Sequence, residues 1–244
     1  MRYKLYEVGG KVRDELLGST SDDVDFSVVV DGRQGADPRL VLKEFEAQLL
    51  REGYSVFLVT ESCFTIRAKF PEDHKYEGVA DFVLARKELG YKEGTREPVV
   101  VLGTLYDDLV RRDFTVNAMA RGEDGEVIDL FDGAEDLKLG ILNTPKEASL
   151  SFADDPLRIL RAFRFEVTKG FYRSEGVDNA IRDFSVEGMG VVSTERIQAE
   201  CRKMFKHSTL ESLRVLEELR ELNEELYTEL LGRGFWLEPT TKKR

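Results

Sequence analysis

The stretch GGKVRDELLGSTSDDVDFSVVV, residues 9 to 30, is the part of this sequence that most restricts the fold. Its end, DVDFSVVV, is rich in β-branched and aromatic residues, which is typical of a strand. Side chains on a strand alternate between faces, so Asp23 and Asp25 share one face, roughly 6.6 Å apart. The alternate positions Val24, Phe26 and Val28 face the other way, into a core. Carboxylates at this spacing can hold divalent ions, although alternate aspartates are also common on a solvated sheet edge.

A glycine pair precedes the short helical stretch VRDELLG, which ends at Gly18. The backbone N–H groups of Gly9 and Gly10 could close on a phosphate, and Arg13 could bring guanidinium donors to it. Glycine pairs also mark ordinary turns, and Arg13 could equally be a surface arginine. A third carboxylate, Asp81 in ADFVLAR, opens another apolar strand and either completes an acidic site or simply lies at a strand end.

The first part of the chain, to about residue 135, mixes strand and helix patterns. Further strand candidates are KLYEVGG, SVFLV, CFTIRAKF and GVADFVLARKE, whereas DPRLVLKEFEAQLLREG has helical spacing of Leu40, Phe45, Leu49 and Leu50. These patterns predict one sheet with helices packed against it. We expect ELGYKEGTREPVVVLG to be a mobile loop and LYDDLVRRDFTVNAMARG to be helical.

From about residue 155 onward the patterns are helical throughout. Asp155 is a candidate N-cap with Pro156 at the first helical position. In LESLRVLEELRELNEELYTELLG a leucine stripe recurs at spacings of three and four, which predicts a packed helix face. The stripe consists of Leu213, Leu216, Leu219, Leu222, Leu226 and Leu230.

The composition sets limits on function. The 244 residues have a formal net charge of −11, which argues against a broad, non-specific grip on nucleic acid but leaves room for a local basic groove. Cys63 and Cys201 are the two cysteines, with no CxxC motif, and this favours a reducing, cytoplasmic compartment. The isolated His74 and His207 form no zinc-binding pattern. We expect neither a signal peptide nor a membrane span, because no apolar run approaches about 20 residues.

Two segments, LVRRDFTVNAMA and DDPLRILRAFRF, concentrate arginines in this acidic chain. The first contains Arg111, and the second spaces Arg158, Arg161 and Arg164 three residues apart beside Asp155. Like charges this close on a helix repel one another, which a bound triphosphate would offset. Asp155 and Arg158 together could also address the polar edge of a base. The alternative is a solvated basic face.

Six motifs, in this order, resemble those of the class II tRNA nucleotidyltransferases, the CCA-adding enzymes, which share a head domain with bacterial poly(A) polymerases. They are GGKVRD, DVD, DLVRRDFTVNAMA, DLFDGAEDL, DDPLRILRAFRF and STERIQAECRKMF, and they cover roughly residues 4 to 206. The resemblance implies an α+β fold, with a polymerase-β-like head of mixed sheet and helices over residues 1–140 and an all-helical neck and short body over 141–244. It also implies template-independent addition of C and A to the 3′ end of tRNA from CTP and ATP, by a two-metal mechanism with Mg²⁺.

The resemblance also assigns residue roles. Asp23 and Asp25 would hold Mg²⁺, with Asp81 as the third acidic catalytic residue. Asp155 and Arg158 would read the edge of the incoming base. The residues that would bind the nucleotide are Gly9, Gly10, Arg13, Arg111, Asp155, Arg158, Arg161 and Arg164.

The sequence departs from the family pattern in two places. The E-D-x-x-R motif begins here with the shorter Asp154, and the chain ends soon after the leucine stripe, where family members continue into a body and tail. We therefore expect contact mainly with the acceptor arm of tRNA. Three alternatives remain: an enzyme that adds only CC or only A, a poly(A) polymerase, and an RNA-binding protein without catalysis. The segment TESCFTIRAKF, where poly(A) polymerases have a basic GRRF-like segment, favours the tRNA branch, and the oligomeric state stays open.

Overall fold

The computed structural model describes residues 1–19, 24–91 and 98–232. The chain divides into two compact units, Met1–Ala134 and Glu135–Arg244. We refer to the first as the head unit and to the second as the helical unit. No helix in the described ranges is both long and apolar enough to cross a membrane.

The described strands of the head unit are β1 (Tyr3–Val8), β2 (Val24–Val30), β3 (Ser55–Thr60), β4 (Thr65–Lys69), β5 (Val79–Leu84), β6 (Arg86–Tyr91), β7 (Pro98–Leu102), β8 (Met119–Arg121) and β9 (Val127–Asp129). Seven of these strands form one mixed sheet in the order β3-β4-β5-β2-β1-β8-β9. Strands β2 and β5 run parallel, and the other neighbours run antiparallel. This arrangement confirms the predicted sheet.

The helices of the head unit are α1 (Gly10–Leu16), α2 (Pro38–Arg51) and α3 (Leu105–Leu109). Helix α2 buries Val41, Phe45 and Leu49 in the core beneath the sheet, at helical spacing. The predicted helix is confirmed, and of its four apolar positions Leu40 and Leu50 are exposed. They lie outside the stripe that faces the core, and apolar character alone did not distinguish the two sides of the helix.

The predicted mobile loop is in part a β-hairpin. Strands β6 and β7 pair antiparallel, with Arg86 opposite Leu102, and the intervening residues 92–97 lie outside the described residues. The loop prediction was therefore wrong for both flanks, because glycine and charge content hid the β-branched run VVV in β7.

The long helix predicted over LYDDLVRRDFTVNAMARG was also wrong. Thr104 and Asp107 form a capping box at the start of α3, which ends at Leu109. Phe114 is then held in extended backbone, because its N–H donates to Asp113 Oδ1 at 2.9 Å. A 3₁₀ turn at Thr115–Asn117 leads into β8.

The described elements of the helical unit are α4 (Gly133–Leu139), which begins in the head unit, β10 (Ile141–Leu142), α5 (Ala148–Asp154), α6 (Leu157–Lys169), β11 (Tyr172–Arg173), α7 (Glu175–Arg182), α8 (Thr194–His207), α9 (Thr209–Leu222) and α10 (Glu224–Gly232). They share one continuous core, built from α6, α8, α9 and their neighbours. The short strands β10 and β11 pair parallel, so this unit is not purely helical.

The leucine stripe is divided between two helices. Leu216, Leu219, Leu226 and Leu230 are buried as predicted, whereas Leu213 is exposed, contrary to the prediction. The helix is interrupted at Asn223, between α9 and α10. Asn223 Nδ2 donates to the carbonyls of Ile181 at 2.9 Å and Phe184 at 3.0 Å, and Asn223 Oδ1 accepts from Leu226 N at 2.9 Å. These tertiary hydrogen bonds end α9 and cap α10.

Candidate active site

Asp25 and Asp81 lie side by side on the open face of the head sheet. Strands β2 and β5 are parallel neighbours with Asp25 in register with Asp81, and neighbouring strands lie about 4.8 Å apart. Both aspartates line a cleft of about 340 Å³. Val24, Phe26 and Phe82 are buried on the opposite side, as the alternation predicts. Asp23, the other member of the D-x-D motif, lies outside the described residues.

Arg67 of β4 is the cationic neighbour of this acidic pair. It lies opposite Asp81 in the antiparallel pair of β4 and β5. Its Nε donates to Asp81 Oδ1 at 2.8 Å and its Nη2 donates to Asp81 Oδ2 at 2.6 Å, a two-pronged contact. Arg67 was not among the site residues predicted from the sequence. Its place between the apolar Ile66 and Ala68 indicates the open face, but the residue opposite it depends on strand register.

The glycine pair forms a turn that only glycine adopts readily. Gly9 precedes α1 with φ 74° and ψ −132°, a conformation that L side chains rarely adopt. A Cβ at Gly9 would lie 3.0 Å from a guanidinium nitrogen of Arg112, so the turn packs closely against the arginine-rich segment. The fold thus brings together the GG turn and the RRD motif, which are far apart in the sequence.

Arg13 is buried and makes internal contacts. Its guanidinium donates through Nε and Nη2 to both carboxylate oxygens of Asp14 at 2.9 Å, and through Nη1 to Asn117 Oδ1 at 2.5 Å. Asn117 Nδ2 in turn donates to Asp113 Oδ1 at 2.9 Å. The Asp113–Asn117 contact forms although these residues lie outside any α-helix. This network joins α1 to the segment that follows α3, and the phosphate contact of Arg13 stays a prediction.

Arg86, Arg111 and Arg112 line a second cleft of the head unit, with a volume of about 250 Å³. We call them the head arginine cluster. The buried carboxylate of Asp108 accepts from Arg112 Nη2 at 3.0 Å and from Arg111 Nη1 at 3.4 Å. Burial lowers the pKa of Arg86, and the charge of Arg111 lowers it further. This environment favours an added anion. Arg86 was not predicted from the sequence, where its only signal is its position after the apolar strand β5.

In the helical unit, Arg158 hydrogen-bonds to Ser151 of α5, and Asp155 pairs with Arg196 of α8. Arg158 Nη1 donates to Ser151 Oγ at 2.7 Å and to the Ser151 carbonyl at 3.3 Å. Asp155 Oδ2 accepts from Arg196 Nη2 at 2.9 Å, and its Oδ1 accepts from Leu157 N at 3.3 Å. Helix α6 starts at Leu157 with Pro156 as its N-cap, so the predicted start was one residue early.

Arg161 and Arg164 both face Glu200 of α8. Arg164 Nε donates to Glu200 Oε2 at 2.5 Å, and Arg161 Nη1 lies 3.8 Å from Glu200 Oε1. The Arg164 guanidinium also lies 4.2 Å from the ring centre of Phe165. Burial alone would raise the pKa of Glu200, but the neighbouring arginines outweigh it and lower that pKa. These contacts give both arginines a packing role, and their predicted part in nucleotide binding stays a prediction.

The donor atoms of the carboxylate cleft suit a hard divalent cation. Magnesium prefers oxygen ligands and is usually held by one or two carboxylates while keeping several waters. Asp25 and Asp81 place such oxygens next to each other. Within the described ranges there is no cluster of three or more potential metal-binding side chains, and Asp23 lies outside them. The described residues therefore fit a divalent cation that is held by two carboxylates and keeps water molecules as its other ligands.

The mixed sheet with its acidic open face is the fold of a polymerase-β-like nucleotidyltransferase head, as the motifs predicted. The chain belongs to the family described as the poly A polymerase head domain, whose model matches residues 5–143. Nucleotidyltransferases of this family generally use divalent metal ions.

Individual relatives agree with this membership. The CCA-adding enzyme of Leuconostoc mesenteroides subsp. mesenteroides is 34% identical over 209 residues, which are 83% of this chain and 46% of that protein. The crystal structure of the Bacillus stearothermophilus CCA-adding enzyme in complex with CTP has a TM-score of 0.70 at 29% identity, covering 92% of this chain and 50% of that one. The Thermotoga maritima CCA-adding enzyme complexed with tRNA has a TM-score of 0.67 at 26% identity, covering 97% and 50%. This chain spans about half the length of these relatives.

Proposed function

We propose that this chain is a template-independent nucleotidyltransferase that adds C and A to the 3′ end of tRNA from CTP and ATP. The observation that carries the proposal is the pairing of Asp25 with Asp81, in register at a cleft of the head sheet. Relatives named CCA-adding enzymes, one with CTP and one with tRNA, support the choice of substrates. Residues 1–140 would form the catalytic head and residues 141–244 the neck and short body.

The reaction would be attack of the RNA 3′-hydroxyl on the α-phosphate, with pyrophosphate leaving. Asp23 and Asp25 would hold Mg²⁺, and Asp81 would complete the acidic set. When bound, Mg²⁺ supplies charge neutralisation at the phosphates and a lower pKa for the attacking hydroxyl. The protein contributes mostly positioning and electrostatic stabilisation, as is general for phosphoryl-type transfer.

Other residues would hold the nucleotide. The close approach of the Gly9 turn to Arg112 leaves backbone N–H groups and guanidinium donors in one region of the head, which is suited to phosphate. Arg111 would contribute from its cleft, where the local charge favours an anion. The proposed triphosphate contacts are Gly9, Gly10, Arg13 and Arg111.

Base selection would fall to the helical unit. Asp155 offers acceptors and Arg158 offers donors, which is the pairing needed to read the edge of C or A. Ser151 fixes the Arg158 guanidinium through two hydrogen bonds, so this donor is preoriented. Arg161 and Arg164 would support the pair from the same helix. We place the activity in the cytoplasm, where free cysteines such as Cys63 and Cys201 stay reduced.

The test uses three tRNA substrates that end before CCA, after the first C, and after CC. Each is incubated with the protein, Mg²⁺ and one nucleoside triphosphate at a time, and products are separated on a sequencing gel. We expect CMP on the first two substrates and AMP on the third. Products with C alone or A alone would indicate a partial enzyme, repeated AMP addition to any RNA would indicate a poly(A) polymerase, and no product would contradict the proposed function.

A further inference from the structure

Three side chains form a row across neighbouring strands of the head sheet. Arg67 on β4 is in register with Asp81 on β5, and Asp81 is in register with Asp25 on β2. Because register partners share a face, the three side chains project from the same side and line the same cleft. The row places a fixed positive charge of the protein beside the carboxylates proposed to serve the metal.

The contact between Arg67 and Asp81 occupies both carboxylate oxygens. The guanidinium fork reaches Oδ1 at 2.8 Å and Oδ2 at 2.6 Å. A carboxylate has about four lone-pair sites, and the fork uses one on each oxygen. The positive charge also reduces the attraction of Asp81 for a divalent cation, because like charges repel at short range.

Arg67 reaches this contact from the solvent side. Its side chain is 53% exposed, compared with 24% for that of Asp81. Water can therefore solvate the guanidinium when it is not on Asp81, whereas the carboxylate stays in the cleft. The contact directly engages a carboxylate of the cleft and involves a side chain that has room to move.

We propose that Arg67 competes with the divalent cation for Asp81 and thereby sets the metal affinity of the cleft. With Arg67 bound, both oxygens of Asp81 are engaged and its charge is partly neutralised, which weakens its attraction for the metal. When Arg67 turns outward, Asp81 is released and can join the metal shell. The inference rests on the proposed function in taking the cleft as the metal site, but it concerns binding and needs no turnover.

The test measures Mn²⁺ binding to the chain alone, without nucleotide or RNA, from the electron paramagnetic resonance signal of free Mn²⁺. Removing the competing unit charge in Arg67→Gln should tighten Mn²⁺ binding about tenfold. The matched control is Arg33→Gln, since Arg33 makes a similarly exposed ion pair with Glu44 at 3.0 Å, and it should bind as the wild type does. Thermal melting of both variants checks that they fold.

Asp81→Asn supplies the second half of the cycle. If Arg67 acts by competing for Asp81, the gain from Arg67→Gln should largely disappear in the Asp81→Asn background. Unchanged or weaker Mn²⁺ binding in Arg67→Gln would overturn the proposal and make Arg67 a support for Asp81. An equal gain with and without Asp81 would overturn it in favour of general repulsion.

Failure of the proposed function would look different. A wild-type chain that binds Mn²⁺ and shows the Arg67 effect, but incorporates no nucleotide, would refute the proposed activity while leaving the Arg67 inference standing. Absence of Mn²⁺ binding in both the wild type and Arg67→Gln would refute the inference itself.

Discussion

Two groups of arginines in this chain differ in how their charge is balanced. The head arginine cluster surrounds the carboxylate of Asp108, with Glu88 lying 3.4 Å from Arg111. Among the described residues, no hydrogen-bond acceptor reaches the buried Nε of Arg86 or of Arg112. The pKa of Arg86 is lowered by burial and by Arg111. Burial and the neighbouring charge thus disfavour the protonated guanidinium of Arg86.

The second group is the helical-unit arginine cluster, Arg173 and Arg214. Here the positive charge is matched by neighbouring carboxylates. Arg173 donates to Asp178 at 2.7 Å, to Glu218 at 3.0 Å and to Glu166, and lies 4.2 Å from the ring centre of Phe163. Arg214 adds a hydrogen bond to Glu166 at 2.9 Å. Burial lowers the pKa of Arg173, but the surrounding carboxylates outweigh it and raise that pKa.

The difference separates binding from packing. An arginine whose donors are all met by internal carboxylates stabilises the fold and has little left for a ligand. An arginine in a cleft with surplus positive charge gains most when an anion arrives. Substitutions in the helical-unit cluster should therefore change stability, whereas substitutions in the head cluster should change activity.

The largest effect is expected for Arg173→Met. It leaves the buried Glu166 without its main partner, so the free energy of unfolding should fall by about 3–5 kcal/mol. Urea denaturation measures this loss. The control is Arg214→Met in the same cluster, whose half-exposed side chain should contribute about 1 kcal/mol or less. Equal effects of the two variants would show that burial does not govern this cluster.

Arg111→Met should give the reverse result. Loss of one preorganised donor to a phosphate should reduce kcat/KM for CMP addition by about 10²–10³-fold. The melting temperature should stay within about 2 °C of the wild type, because the variant relieves repulsion with Arg86. A variant that lost stability and kept its activity would remove the distinction between the clusters.

Arg158→Ala tests whether an arginine with a local partner can still serve a ligand. Loss of a base-edge donor should relax discrimination among nucleotides by about 1–3 kcal/mol, so that UTP or GTP is accepted. Competition between nucleotides on one tRNA substrate measures the ratio. Uniform slowing without a change in selectivity would assign Arg158 to phosphate contact or to packing against Ser151.

The smallest effect concerns pH and Glu200. The folded-state pKa of Glu200 lies below its ordinary value of 4.5, since Arg164 and Arg161 outweigh the effect of burial. Its stabilisation is therefore present above pH 4.5 and is lost as the pH falls through the lowered pKa. Glu200→Gln should cost about 1–2 kcal/mol at neutral pH, and less below the lowered pKa. A constant difference across the acidic range would contradict the ion-pair account.

Local sequence patterns predicted strands and helices better than they predicted which residues contact each other in the fold. The alternation in DVDFSVVV gave the buried face of β2, and the motif order gave the family. Strand register and tertiary hydrogen bonds are not encoded in local pattern, so Arg67 and Arg86 were missed, and so was the helix break at Asn223. Leu40 is exposed for the same reason, because the apolar character of one residue does not determine which side of a helix faces the core.

The central claim is that Asp25 belongs to a metal-dependent nucleotidyl transfer site. The most direct measurement compares CMP incorporation into tRNA lacking CCA by the wild type, Asp25→Ala, and the control Asp31→Asn, an exposed aspartate just after the same strand. We predict that Asp25→Ala loses incorporation by at least about 10³-fold with little change in thermal stability, while Asp31→Asn stays active. Incorporation by Asp25→Ala at the wild-type rate would contradict the account.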